Sequence, residues 1–360
     1  MNDASTLERL RRIGLAPTLA QHVLNQPASG AGSALMRVTE VHREGLTLHD
    51  GIAECAARQL PALRSQLAAA EDALAVGDWV LARRNGLAEW WAHARLPPLN
   101  QLARRQPEGR DGFARSVIVS NVDTALLVMG LDGDYNPRRQ ERSLALVRMA
   151  GVSAVVVLSK RDLCPQADAR LREVQARLPA GVAALAVDAL GGDPAAALAP
   201  WLLAGQTLVL LGSSGAGKST LTNALAQGAA QDTGANRAGD NRGRHTTTAR
   251  SLHLTPQGAC IIDTPGLRSL RLEGSAEALE AAYDDIARLA PQCRFRDCRH
   301  EAEPGCAVRT GVSDERLRHH AKLLREVQRD SLTALDRKAQ VQQWKVRQRE
   351  VRVRMNAKRG

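Results

Sequence analysis

Residues 207–220 read TLVLLGSSGAGKST and run from an apolar stretch of strand character straight into a glycine-rich turn. Gly212, Gly217, Lys218 and Ser219 have the spacing GxxxxGK[ST]. In that pattern backbone N–H groups point at phosphate oxygens, the lysine neutralises the β- and γ-phosphates, and the serine hydroxyl coordinates Mg²⁺. The helix-prone LTNALA that follows supplies the context such a loop needs. We therefore predict a nucleoside triphosphate site formed by Gly212, Ser213, Ser214, Gly215, Ala216, Gly217, Lys218, Ser219 and Thr220, with Lys218 also acting in catalysis.

Length and composition limit the kind of protein this is. A chain of 360 residues exceeds the size at which single cores stop growing, so we expect more than one domain. Lysine and arginine number 49 against 38 acidic residues, and this excess points to an acidic partner such as nucleic acid. No apolar run approaches the roughly 18 residues of a membrane span, so we expect a soluble, cytoplasmic protein with no membrane partner. The cysteines are not arranged as a secreted disulfide framework.

The N-terminal third is predicted to be a short helix, a linker and a small β domain. Residues 4–25 have helical spacing, and the small residues of 26–33 end it. Short β-prone pieces between residue 34 and about residue 101 are separated by turn residues, which indicates a β-barrel or sandwich. Five-stranded OB barrels bind oligonucleotides by stacking bases on aromatic rings. Trp79, Trp90 and Trp91 either serve that purpose or fill the barrel interior.

The middle of the chain alternates strand and helix patterns. After a predicted polar connector at residues 104–115, buried strands at 117–131 and 151–163 flank a helix-like segment at 136–150. Further strands are expected at 183–187, before the phosphate loop, and at 259–262. This order predicts a mostly parallel α/β sheet with helices on both faces, whose ligands lie at the carboxyl ends of its strands.

A possible base-recognition motif stands at one such end. Residues 159–162, SKRD, resemble the NKxD motif of GTPases, in which the aspartate accepts N–H bonds from guanine and the lysine stem packs across the base. The predicted contacts are Ser159, Lys160, Arg161 and Asp162. Ser159 stands where asparagine is usual, so we expect the side-chain tie to the phosphate loop to be missing and guanine selection to be looser. An ordinary polar turn after a strand is the alternative.

Two later motifs suit the γ-phosphate and the metal. Asp263 in DTPG (263–266) is predicted to hold the water shell of Mg²⁺, and the Gly266 N–H to reach the γ-phosphate, although a simple turn fits the same letters. The glycine-rich segment 228–248 ends in GRHTTT, and Thr247 is predicted to complete the Mg²⁺ shell. The alternative is that these threonines merely open a strand. His245 is predicted to position the attacking water, or else is an exposed loop residue.

The last motif is a cluster of cysteines and one histidine. Three thiolates and one imidazole, Cys293, Cys298, His300 and Cys306, suit a closed tetrahedral Zn²⁺ site, with free thiols in a basic loop as the alternative. Residues 313–329 then predict an amphipathic helix. Residues 337–359 are strongly basic and form either a solvated helix face or a tail that contacts RNA.

The order of these motifs carries a family resemblance. The base motif and a possible base loop, residues 187–190, precede the phosphate loop, whereas ordinary GTPases have them last. Together with VGDWV, GRHTTTA, DTPGLRSL and the Cys/His cluster, this circularly permuted order resembles the ribosome small-subunit-dependent GTPase A family. In the base loop Asp188 departs from the usual serine, while Ala189 can still offer its backbone N–H to the base.

The resemblance implies a multidomain protein. It has an N-terminal helix and linker (1–33), an OB-fold β-barrel (34–103), a circularly permuted α/β P-loop GTPase domain (112–272) and a mainly helical zinc-binding domain with a basic tail (273–360). It further implies a GTPase that acts in late maturation of the 30S subunit, binds 16S rRNA, cycles between GTP and GDP with Mg²⁺, and carries one structural Zn²⁺. We expect a monomer that the subunit stimulates. An RNA-binding or ATP-dependent factor remains the alternative.

Overall fold

The computed structural model describes residues 4–25, 32–108, 112–226, 250–264 and 276–331, and the chain separates into two units, residues 1–273 and 274–360. The first unit begins with two helices, α1 (Ala4–Arg12) and α2 (Pro17–Asn25), where the sequence predicted one. Gly14, with a φ of 91°, ends the first helix, and Pro17 starts the second.

A closed five-stranded barrel follows and confirms the predicted OB-fold domain. Its strands are β1 (Ser33–Val41), β2 (Leu46–His49), β3 (Glu54–Gln59), β4 (Trp79–Arg84) and β5 (Trp90–Arg95). They pair in the order β1-β2-β3-β5-β4, and β4 pairs back to β1 to close the barrel. The sequence patterns missed β3, and also the helix α3 (Pro61–Ala69) between β3 and β4.

The three tryptophans of the barrel domain have different surroundings. Trp79 is fully buried, but it packs in the core that the barrel shares with the neighbouring sheet rather than inside the barrel. Trp90 and Trp91 are only partly buried, and the guanidinium groups of Arg84 and Arg58 lie 4.9 Å and 5.8 Å from their ring centroids. The prediction that Trp79 fills the barrel interior is therefore wrong. Trp79 fills the interface between the barrel and the neighbouring sheet.

The stretch predicted as a polar connector is instead a β-hairpin. Its strands are β6 (Gln101–Glu108) and β7 (Gly112–Ser120), paired antiparallel from Gln101 opposite Ser120. Among the hairpin side chains whose burial the structure describes, Leu102, Val117, Ile118 and Val119 lie in the core. Residues 104–115, RRQPEGRDGFAR, are mostly polar and include two glycines and a proline, so they resemble a loop in sequence. Asn121, with a φ of 55°, then breaks the single strand predicted at 117–131.

The predicted mostly parallel sheet is confirmed. Its strands are β8 (Thr124–Gly130), β9 (Ser153–Ser159), β10 (Ala183–Ala186), β11 (Thr207–Leu211), β12 (Ser251–Leu254) and β13 (Cys260–Asp263). They lie in the order β10-β9-β8-β11-β13-β12, all parallel to their neighbours except β12. The helices of this region are α4 (Pro137–Met149), α5 (Ala167–Gln175), α6 (Pro194–Leu198) and α7 (Lys218–Ala226).

Barrel and sheet are joined by strand pairing and by a buried arginine. Strand β12 pairs with β1, where Glu40 lies opposite Ser251. The fully buried Arg37 of β1 donates to the Ile13 carbonyl and, at 2.9 Å, to Thr207 Oγ1 at the start of β11. Because β11 leads directly into the phosphate loop, these contacts between the barrel and the sheet, here called the joint, fix the position of the loop relative to the barrel.

Asp78, in the turn before β4, makes the stability of this joint depend on pH. Its Oδ2 accepts the Ala75 N–H at 2.9 Å and lies 3.7 Å from Arg95 Nη1, but its carboxylate has no exposed surface. Burial of the carboxylate raises its pKa more than Arg95 and the Ala75 N–H lower it, so the pKa of Asp78 rises to about 6. The unfolded-state pKa is about 4, so the native state favours the protonated acid.

This raised pKa predicts a stability that falls as the pH rises. The contribution of Asp78 is fully present below about pH 4 and is lost as the pH passes about 6, a total of about 3 kcal/mol. Asp78→Asn stays neutral and lacks this dependence. We therefore expect the melting temperature of the variant, minus that of the wild type, to rise by several degrees between about pH 4.5 and about pH 7. A difference that stays constant over this range would contradict the prediction.

The second unit is mainly helical where the structure describes it, as predicted. It contains α8 (Ala276–Ala282), α9 (Asp284–Leu289), α10 (Ala307–Gly311) and α11 (Asp314–Ser331). Arg316 of α11 donates two hydrogen bonds to Asp285 of α9, from Nε to Oδ2 at 2.5 Å and from Nη2 to Oδ1 at 2.8 Å. Among the described helices of the whole chain, none has the length and apolar character needed to cross a membrane.

Candidate functional site

The phosphate loop is built where β11 ends. A Cβ on Gly212 would lie 2.2 Å from the Val128 carbonyl oxygen of the neighbouring strand, so only glycine fits there. Helix α7 begins at Lys218, whose side chain folds back over the loop and donates to the Gly212 and Ser213 carbonyl oxygens at 3.1 Å and 2.7 Å. Burial lowers the pKa of Lys218, an effect opposed by Asp263 and Asp134. This strand–glycine loop–helix arrangement presents backbone N–H groups and one ammonium to an anion.

The residues predicted to hold Mg²⁺ that the structure describes lie together. Parallel pairing of β11 with β13 brings Asp263 beside the phosphate loop, where Ser219 Oγ donates to its Oδ2 at 3.2 Å. Asp263 is buried, and its Oδ1 has no protein hydrogen-bond partner among the described residues. A hydroxyl beside an unsatisfied carboxylate oxygen suits a hard cation, so these residues fit Mg²⁺. The other predicted members, Thr247 and Gly266, lie outside the described residues, as does His245.

The base motif is tied to the phosphate loop, which corrects the expectation drawn from Ser159. The buried Ser159 hydroxyl at the end of β9 donates to the Ala216 carbonyl oxygen at 2.6 Å. Close packing makes the short side chain sufficient, because a Cβ on Gly217 would lie only 3.4 Å from the Ser159 oxygen. The predicted loss of this tie is wrong, because at this separation serine does not need the reach of an asparagine. Lys160, in the left-handed region with a φ of 58°, forms an ion pair with Asp132 at 2.6 Å.

The possible base loop lies beside this motif. The Arg161 N–H donates to the Val187 carbonyl oxygen at 3.2 Å, which holds residues 187–190 next to residues 159–162. Asp188 accepts the N–H groups of Leu190 and Gly191, and these two bonds lower its pKa. Asp188 is thus engaged in its own turn. Ala189 is half-buried and Asp162 is exposed at the same edge of the sheet.

Sequence reasoning missed a loop that contacts both motifs. Residues 130–136, here called the acidic loop, begin at the last residue of β8 and carry Asp132 and Asp134. Asp134 Oδ1 accepts the Ser213 hydroxyl at 2.5 Å and Arg139 Nη2 at 2.6 Å. The signal was available, because two aspartates directly follow a buried strand at the end where ligands of parallel sheets bind.

The four predicted metal ligands of the second unit are close enough to share one ion. Their ligand atoms all lie within 4.8 Å of one another. Cys293 Sγ is 3.8 Å from Cys306 Sγ and 3.6 Å from His300 Nδ1. Tetrahedral Zn²⁺, with bonds of about 2.3 Å to sulfur and about 2.0 Å to nitrogen, needs ligand separations of about 3.5 to 3.8 Å. The donor set therefore fits Zn²⁺, and its fourth member, Cys298, completes a site with no position left for substrate.

Removal of one ligand should weaken the second unit and leave the nucleotide site intact. We expect about one Zn²⁺ per wild-type chain, and in Cys298→Ala loss of the metal with a lower melting temperature of residues 274–360. Guanine nucleotide affinity should stay within about twofold, because the phosphate loop lies in the other unit. Metal analysis and thermal melting measure this, with Cys55→Ala, a half-buried cysteine outside the cluster, as the control. Freshly purified, reduced protein without zinc would refute the site.

Comparison with known proteins agrees with this geometry. The sequence pattern of the RsgA GTPase family matches residues 96–273. A protein of Xylella fastidiosa (strain 9a5c) named small ribosomal subunit biogenesis GTPase RsgA is 43% identical over 297 residues, which cover 81% of this chain and 85% of that protein. Its namesake in Xanthomonas axonopodis pv. citri is also 43% identical, over 81% of this chain and 80% of its own length. The chain belongs to the RsgA GTPase family.

Solved structures share the fold. YjeQ from Thermotoga maritima superimposes with a TM-score of 0.60 at 22% identity, over 82% of this chain and 98% of that one. YloQ, described as a circularly permuted GTPase, superimposes with a TM-score of 0.58 at 22% identity, over 86% and 99%. As a member of the RsgA GTPase family, the chain is a GTP hydrolase.

Proposed function

We propose that this chain hydrolyses GTP to GDP and phosphate in the late maturation of the small ribosomal subunit, and that it binds the 30S subunit. One observation carries the proposal: the base motif, the base loop, the phosphate loop and Asp263 meet at one edge of the sheet, in the permuted order. The relatives with 43% identity are named small ribosomal subunit biogenesis GTPases, which gives the biological setting.

We assign a role to each residue of the site from its position relative to the phosphate loop. Lys218 neutralises charge on the β- and γ-phosphates, and backbone N–H groups of residues 212–220 bind the phosphate oxygens. Ser219 would be a ligand of Mg²⁺, and Asp263, which accepts its hydroxyl, would hold the water shell of the ion. When bound, Mg²⁺ supplies charge neutralisation at the leaving and transferred phosphoryl oxygens. Thr247 completes the metal shell, and the Gly266 N–H contacts the γ-phosphate.

The guanine end of the site rests on residues 159–162 and Ala189. Asp162 accepts the guanine N1 and N2 protons, the Lys160 stem packs on the base, and the Ala189 N–H reaches its carbonyl oxygen. The Ser159–Ala216 bond gives this half of the site a fixed distance from the phosphate half, and Asp132 holds the Lys160 ammonium in place. Guanine should therefore be selected over adenine, and competition by GTP, GDP and ATP measures that selection.

A basic chain is suited to a partner made of RNA. The net charge is +11, and the barrel presents Arg58 and Arg84 over partly exposed tryptophan rings. The surface that the chain contacts on the subunit is 16S rRNA. The chain acts there as a cytoplasmic monomer. Cosedimentation with 30S and 70S particles in GTP, GDP and a non-hydrolysable GTP analogue tests this. Retention on 30S particles only with the analogue is expected, and no retention in any nucleotide state would refute the partner.

A further inference from the structure

The acidic loop, residues 130–136, links the two halves of the nucleotide site. On one side Asp132 Oδ2 binds the Lys160 ammonium at 2.6 Å. On the other side Asp134 Oδ1 accepts the hydroxyl of Ser213 in the phosphate loop at 2.5 Å. The backbone also takes part, because the Leu131 N–H donates to the Ser159 carbonyl oxygen at 3.0 Å.

The loop is held rigidly enough to transmit position. Arg170 of α5 donates to the Leu131 carbonyl oxygen at 2.6 Å, and its guanidinium lies 4.7 Å from the ring centroid of Tyr135. The Tyr135 hydroxyl in turn donates to Glu173 at 2.9 Å. At the other end a Cβ on Gly130 would lie 2.5 Å from Asp132 Oδ1, so a side chain there would displace the Asp132 carboxylate. A segment fixed from both faces is a suitable base for orienting its neighbour.

Every acceptor oxygen of Asp134 is used in this arrangement. Oδ1 accepts from both Ser213 and Arg139, while Oδ2 accepts the Gly130 N–H at 3.2 Å. The Arg139 guanidinium, 2.6 Å away, offsets the negative charge that Asp134 brings near the phosphate site. The carboxylate therefore reaches the phosphate loop through a hydrogen bond to Ser213, while Arg139 pairs with the same oxygen.

We propose that Asp134 is a positioning residue for nucleotide binding, which orients the phosphate loop through the Ser213 hydroxyl. The Ser213 carbonyl accepts from the Lys218 ammonium at 2.7 Å, so the bond from Asp134 fixes the same residue that places the phosphate-binding lysine. Acting with the Asp132–Lys160 pair, it couples the base half of the site to the phosphate half. This inference rests on the proposed guanine nucleotide site and adds a residue to it.

Three substitutions in full-length protein test the role. Asp134→Asn cannot satisfy all three donors, because its NH₂ group must face either the Gly130 N–H or the Ser213 and Arg139 donors. Ser213→Ala removes the same bond without changing charge, and Ser213→Thr keeps the hydroxyl. Asp193→Asn is the matched control, since it makes the same charge change at an exposed helix N-cap that asparagine also serves.

The readout is the affinity for fluorescent GDP and a fluorescent non-hydrolysable GTP analogue, with the melting temperature of nucleotide-free protein measured alongside. We expect Asp134→Asn and Ser213→Ala each to raise Kd for both nucleotides by about five- to tenfold. The double variant should bind no more weakly than the weaker single variant, because without the Ser213 hydroxyl a change at Asp134 has no bond through which to reach the phosphate loop. Ser213→Thr should recover most of the affinity, and the control should bind like the wild type.

Contrary results separate this inference from the proposed function. Additive losses in the double variant, or wild-type affinity in Ser213→Ala, would overturn the role of the Asp134–Ser213 bond. Tighter binding by Asp134→Asn together with an unchanged Ser213→Ala would mean that the carboxylate acts by repulsion, which also overturns it. Wild-type protein that binds no guanine nucleotide would overturn the proposed function, and this inference with it.

Discussion

Replacing Lys218 with alanine should lower GTP turnover by about a hundred- to a thousandfold. Lys218 is buried, and its ammonium is held by the Gly212 and Ser213 carbonyl oxygens of the phosphate loop. Charge that develops on the β- and γ-phosphate oxygens in the transition state is met there by a cation that needs no reorganisation. Alanine removes that cation and also removes its hydrogen bonds to the Gly212 and Ser213 carbonyl oxygens.

Single-turnover phosphate release at saturating GTP measures this loss apart from any loss of affinity. Lys322→Ala is the control, because it removes the same charge from an exposed position on α11. The control should hydrolyse GTP like the wild type. Unchanged single-turnover hydrolysis in Lys218→Ala would remove residues 212–220 from the reaction.

The features that the sequence predicted well are those whose residues are contiguous or closely spaced in the chain. The phosphate loop needs a strand, a glycine-rich turn and a helix in direct succession, and residues 207–226 contain all three. The Cys/His cluster spans only residues 293–306, so its spacing limits how far apart these four side chains can lie. The parallel sheet was readable because its strands are buried on both faces and are nearly continuous apolar runs.

What the sequence could not supply depends on contacts between distant segments. The Ser159–Ala216 bond joins residues 57 positions apart, and the Asp134–Ser213 bond joins residues 79 positions apart. Neither follows from local spacing, because each depends on how the ends of β8, β9 and β11 are placed side by side. The connector predicted at residues 104–115 is wrong for a different reason, since RRQPEGRDGFAR lacks the apolar alternation of a strand.

In the barrel domain the predicted fold is confirmed, but the predicted position of one residue, Trp79, is wrong. Trp79 was expected inside the barrel or on a stacking surface, yet it lies against the sheet and under Arg37, whose guanidinium is 5.5 Å from its ring centroid. Strand alternation tells which residues share a face, but it does not tell which neighbour covers that face. Joints between domains are therefore harder to predict than cores within them.

The largest rate increase should come from the ribosomal subunit. Many GTPases orient the attacking water with a glutamine directly after the DxxG motif, and this chain has Leu267 there, which cannot hydrogen-bond a water. We therefore expect slow hydrolysis by the protein alone and a stimulation by 30S subunits of about a hundredfold or more at low salt. The stimulation should weaken as salt rises, because a chain of net charge +11 binds RNA largely through phosphate contacts.

His245 is the residue that we expect to place that water, since an imidazole nitrogen can accept its proton and the switch threonines follow it directly. In His245→Ala most of the stimulation should vanish while GTP affinity is retained, because binding rests on the phosphate loop and the base motif. His22→Ala, an exposed histidine of α2, is the control and should be stimulated like the wild type. If 30S subunits leave the wild-type rate unchanged at low salt, the subunit is not the activator. If His245→Ala is stimulated as strongly as wild type, the subunit remains the activator and another group positions the water.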